Sequence, residues 1–163
     1  MLRSVSPLLA AAMLCSGCWV NSPAHPTDIW QLADALVALV PPSEQSFARL
    51  VGAPLTENGP YRMEGGPVEL SPSLKITDSV IALHRDQWSF ATVGVEPEPC
   101  HTADDVKAHY PTAVVKYTPH GHSPEESFIW STTYDWGELW LAIREKDRCL
   151  IGVSIRSSAE ISR

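Results

Sequence analysis

The sequence predicts an α+β fold, with short helices packed on an antiparallel sheet as two tandem helix-plus-meander half-domains. Three observations point there. Of 163 residues, 44% are hydrophobic and 19% charged, which is enough apolar content for a folded core and too little charge for disorder. Fourteen prolines and nine glycines divide the chain into many short elements and exclude a bundle of long helices. A short amphipathic helical stretch followed by strand-like runs occurs twice.

Taken in order, Thr27-Asp28 opens a helix with Ile29, Leu32, Leu36 and Leu39 on one face, and Pro41-Pro42 stops it. Ser43 caps a second helix carrying Phe47, Leu50 and Val51, closed by Gly52 with Pro54 just beyond. Strand-like runs follow near Pro60–Leu70, Leu74–Leu83 and Trp88–Val95. The last alternates Ala91, Val93 and Val95 against Phe90, Thr92 and Gly94, the pattern of a half-buried strand. Thr102-Ala103-Asp104-Asp105 then starts a third helix with Val106 and Tyr110 as its apolar stripe, ended by Pro111. Four more runs come after it: Ala113–Tyr117, Ser127–Tyr134, Glu138–Arg144 and Leu150–Arg156.

The stretches 43–96 and 102–156 are nearly equal in length. Superposing Ser43 on Thr102 lays Phe47 on Val106, Val93 on Val153 and Val95 on Ile155, a repeat of pattern rather than of residue identity. Helices followed by an antiparallel meander, occurring twice, resemble the beta-lactamase-inhibitor-protein fold. The small lipoprotein of the outer-membrane barrel-assembly machinery has one such unit. The resemblance covers most of the chain after residue 26 and implies a protein that works by binding another protein.

The N-terminus reads as an address. Arg3 and the apolar run Leu8–Leu14 form a secretory signal too short to span a bilayer. The following Cys15-Ser16-Gly17-Cys18 resembles a bacterial lipobox, with Cys15 standing where Leu is usual. The resemblance implies cleavage after residue 17, lipidation of Cys18, a tether over 18–26, and one α+β domain over 27–163. Trp19 follows the lipid site in place of an Asp of the inner-membrane-retention type, so the expected location is the periplasm, anchored to the outer membrane. Of the four cysteines, Cys100 and Cys149 then remain, and an even pair in an oxidising compartment predicts a disulfide. Closing that loop of about fifty residues contributes on the order of 4 kcal/mol by the chain-entropy argument. A Cys100-His101 nucleophilic pair is the poorer reading, because adjacent residues rarely aim at each other and nothing marks a third group to orient them.

With 12 basic and 19 acidic residues the chain carries a net charge of −7 and has no Lys/Arg run to neutralise phosphates, which argues against nucleic acid. No nucleophile elbow, phosphate-cradling glycine loop or His-Glu-x-x-His is present, so neither an enzyme nor a bound cofactor is expected. The candidate binding residues lie in the C-terminal half. A three-residue turn at Asp135-Trp136-Gly137 would pair Ile129 with Ile143 and put Leu139 and Leu141 on the same face, continued by Ile151, Val153 and Ile155. Phe128, Trp130, Tyr134, Trp140 and Arg144 would then share the opposite face, with Trp136 at the turn. Aromatics with an Arg have the composition of interface hot spots; the alternative is that they pack on a loop, on the N-terminal helix or on the other half-domain. The loop from Pro119 to Glu126 holds His120 and His122, whose partners would be either a cleft in another protein or, with Glu125 or Glu126, a metal. The expected function is non-catalytic protein binding. The first expectation is an immunity or inhibitor protein against a cell-wall-degrading toxin of the type VI effector class. Its competitors are an envelope-assembly scaffold and a metal- or ligand-binding lipoprotein.

Overall fold

A computed structural model describes residues 25–84 and 87–162. The expected signal (1–17), Cys18 and all of the tether except His25 and Pro26 lie outside the described residues. Helix α1 spans Ile29–Ala38; the Asp28 carboxylate accepts from the Gln31 N–H at 2.8 Å and so caps it. Helix α2, Glu44–Val51, is capped reciprocally by Ser43 and Ser46 and ends at Gly52, whose φ of 68° lies in the left-handed region. Strands β1 (Thr56–Glu57), β2 (Arg62–Gly65), β3 (Val68–Ser71), β4 (Leu74–His84) and β5 (Gln87–Val95) follow. Helix α3, Ala103–His109, begins where the Asp105 carboxylate accepts from the Thr102 N–H at 2.7 Å. Strands β6 (Val114–Tyr117), β7 (Ser127–Tyr134), β8 (Gly137–Arg144) and β9 (Leu150–Ser157) and a last turn of helix, α4 (Ser158–Ile161), complete the order.

The class is the expected α+β. Among the described residues, nine strands form one antiparallel sheet in the order β1-β2-β4-β5-β9-β8-β7-β6, with β3 added to β4. The single run expected near 60–70 is broken in two. Both pieces lie in one register along the same edge of β4, with Gly65 opposite Ser79 and Val68 opposite Ile76. Gly66, at φ 97°, and Pro67, which lacks an N–H, interrupt the ladder between them. At the centre of the sheet, β5 pairs with β9 and Val93 stands directly opposite Val153.

One core fills the space between this sheet and α1–α3. Ile29, Leu32, Ala33 and Leu36 of α1, Phe47 and Val51 of α2, and Val106 of α3 are buried on Ala91, Val93, Leu139, Leu141, Ile143, Val153 and Ile155. Tyr110 links the layers: its hydroxyl donates to Asp34 at 2.7 Å, and burial followed by that hydrogen bond pushes its phenol far above the ordinary value. Tyr110→Phe should cost about 1 kcal/mol in chemical denaturation, since it removes one hydrogen bond and little apolar area.

Two features of the C-terminal meander differ from expectation. The hairpin turn contains two residues, Asp135 and Trp136, because Gly137 is already in the ladder opposite Tyr134. Gly137 is required there by its φ of 147° and because any Cβ would run into the Arg156 carbonyl oxygen on β9. Ile129 therefore faces Ala142, not Ile143, and every side chain of β7 changes sides relative to the three-residue reading. In β9 a bulge intervenes at Ile151, so Leu150, opposite Ile143, enters the core in its place.

Candidate partner-binding face

The register shift divides the expected aromatic face. Phe128 and Trp130 are opposite Ile143 and Leu141, and with Tyr134 and Trp136 they pack against the core on the helix side. Tyr134 and Trp136 stack at 5.0 Å between ring centroids, and Trp88 lies against Trp136 at 5.8 Å. The Lys107 ammonium of α3 sits over Trp130, and the Arg148 guanidinium over Phe128. These four aromatics are partly buried against the core and do not share a face with Trp140. Trp140 and Arg144 remain on the open face, away from α1–α3.

Arg144 is engaged locally. Its guanidinium pairs with Asp147 and, at 3.5 Å, with Glu125. The hydrogen bond from Arg144 holds the Asp147 carboxyl below its ordinary value. The loop holding His120 and His122 is folded on itself: the backbone N–H groups of His120, Gly121 and His122 converge on the Glu126 carboxylate at 2.5, 3.2 and 3.1 Å. Led by the His120 amide, these bonds hold the Glu126 carboxyl below the ordinary range, so this acid orders the loop. The two imidazole rings are 6.4 Å apart. Among the described residues, no three His, Cys, Asp or Glu side chains are grouped to hold a metal ion.

The open face brings together a different set. One cross-strand row runs Val80, Thr92, Ser154, Trp140, Ser131, Val114, and the next runs Ala82, Phe90, Arg156, Glu138, Thr133. At their centre the Arg156 guanidinium lies 4.1 Å from the Trp140 ring centroid and 5.2 Å from that of Phe90. Burial pulls the Arg156 guanidinium below its ordinary value, against the opposing charge of Glu160. Its Nε is buried and makes no hydrogen bond among the described residues. A stacked guanidinium is a pre-oriented donor fork on an otherwise acidic protein. Tyr117 lies edge-on to Trp140 at 5.4 Å.

Glu138 fixes the indole. Its carboxylate accepts from Trp140 Nε1 and from Lys116 Nζ, both at 2.5 Å. Burial raises the Glu138 carboxyl, but the hydrogen bonds from Lys116 and Trp140 and the lysine charge outweigh it and leave the group below its ordinary value. A depressed folded-state value stabilises the protein above the unfolded-state value, and that stability is lost as pH falls through the folded one. Melting temperatures of wild type and Glu138→Gln should therefore differ most near neutral pH and draw together as pH falls past the ordinary glutamate range. A difference that stays constant with pH would rule out the ionised pair.

Of the predicted partner-binding residues, only Trp140 belongs to this cluster. Phe90, Tyr117, Lys116, Glu138 and Arg156 join it from outside the residues that the sequence predicts. Strand alternation already turns Phe90 away from Val93 and Arg156 away from Ile155, but nothing local says that β5 and β9 are neighbours. Comparison with protein-family models, curated proteins and solved structures finds no match to this chain.

Proposed function

We propose that this chain is a non-catalytic, lipid-anchored envelope protein that binds a protein partner, as an immunity or inhibitor protein against a cell-wall-degrading enzyme of the type VI effector class. The observation that carries the proposal is the open-face cluster of Trp140, Arg156, Phe90 and Tyr117. Large aromatics and a stacked arginine on a rigid sheet are what interface hot spots are made of. The net charge of −7 favours fast encounter with a basic hydrolase. Anchoring rests on Cys18 and its lipobox-like surroundings; among the described residues no helix is long and apolar enough to cross a membrane. Kinship with the beta-lactamase-inhibitor-protein fold belongs to the same proposal. It is supported by two helix-then-meander halves meeting at β5 and β9, with Val93 opposite Val153 as a local two-fold would place them.

The test is capture from an envelope extract, followed by a wall-lysis assay on the enzyme recovered. Stoichiometric inhibition of a secreted wall hydrolase is the expected result. A chain that captures no wall-cleaving enzyme, or captures one without slowing it, does not have this function.

A further inference from the structure

We propose that β6 is a second interaction surface, where a second copy of this chain adds its own β6 antiparallel and continues the sheet through a two-fold dimer. The large hydrophobic side chains most exposed among the described residues are Val114 at 64%, Tyr117 at 51% and Val115 at 43%, all on β6, and Tyr61 at 54% on the turn before β2. Among the described residues β6 is the last strand of the sheet and pairs only with β7, so its outer backbone N–H and C=O groups face outward. The opposite edge is blunted: β1 is two residues long and carries Glu57. An edge lysine ordinarily discourages strand addition. Here Lys116 turns back onto the sheet to pair with Glu138 and is withdrawn from that duty.

Charge selects a second copy as the occupant. Two molecules of net charge −7 repel, but between Asp105 and Glu125 the sequence contains no acidic residue, and this stretch includes all of β6. β6 therefore brings no acid of its own to the contact, and Glu138 of β8 is paired with Lys116. The strand is also self-complementary. The bulge at Lys116 puts Val114 and Tyr117 on the same sheet face, since Val114 is opposite Ser131 and Tyr117 opposite Ile129. A two-fold axis normal to the sheet, passing between Val115 and Lys116, sets Val114 of each copy against Tyr117 of the other, and leaves both open faces on one side.

Sedimentation velocity on the purified protein from about 1 to 500 μM tests this. A contact at the small end of interface sizes should give a dimer dissociating at roughly 10–100 μM. Val114→Lys with Val115→Lys should move that midpoint at least about tenfold upward while leaving the far-ultraviolet dichroism unchanged. Without any variant, amide hydrogen exchange of residues 114–117 in wild type should slow as concentration rises. A single monomeric species across the range, association unchanged in the double variant, or β6 protected only by a different protein would each overturn the second-copy dimer.

Discussion

Replacing Cys100 and Cys149 together by serine should cost about 4 kcal/mol and lower the melting temperature by roughly 10–15 °C. The bridge spans a sequence separation of 49 and joins the segment before α3 to the residue before β9, the strand that unites the two halves of the sheet. Beside it the Leu150 N–H donates to the His101 carbonyl at 2.7 Å, and His101 packs edge-on to Trp30 of α1, which also stacks on His109 at 4.0 Å. The crosslink therefore restrains α1, α3 and β9 together, and most of its contribution is entropy removed from the unfolded chain. Denaturant titrations of wild type and the double serine variant measure it. Equal midpoints would mean that the bridge adds nothing to equilibrium stability.

The second large effect separates two tryptophans ten residues apart. Trp140→Ala combined with Arg156→Ala should weaken partner binding roughly 100- to 1,000-fold, because stacked aromatic and guanidinium groups at the centre of an interface carry most of its energy. The accompanying loss of stability should be small, since Trp140 lies on the open face and not in the core. Trp130→Ala should do the reverse. It removes an indole packed on the core beneath Lys107, costing about 2–3 kcal/mol of stability, with little effect on the affinity of the protein that still folds. Denaturation and binding measured on the same variants distinguish the two. If Trp130→Ala abolished binding while Trp140→Ala did not, the faces would be assigned the wrong way round.

That inversion turns on one residue of turn length, which shows where sequence reasoning stops. Caps and stops are local chemistry, so α1, α2 and α3 could be placed from Asp28, Ser43, Gly52 and Thr102. The alternation of Ala91, Val93 and Val95 likewise marked the buried face of β5. The pair Cys100 and Cys149 followed from counting. Strand register is different, because it depends on which turn conformation wins and a slip by one exchanges both faces at once. Gly137 stands in the expected turn, but its purpose, admitting the Arg156 carbonyl from β9, involves a strand that the turn alone does not reveal. The candidate site is less legible still. Phe90 and Arg156 lie far apart in the chain and become neighbours only because β5 pairs with β9 across the middle of the sheet.

The most direct measurement is a titration of the captured wall hydrolase with wild-type protein and with the Trp140→Ala, Arg156→Ala double variant, both confirmed as folded by their melting curves. Wild type should inhibit one to one, and the variant should require roughly 100-fold more protein for the same effect. Equal inhibition by a folded variant would contradict the assignment of the open face as the binding surface.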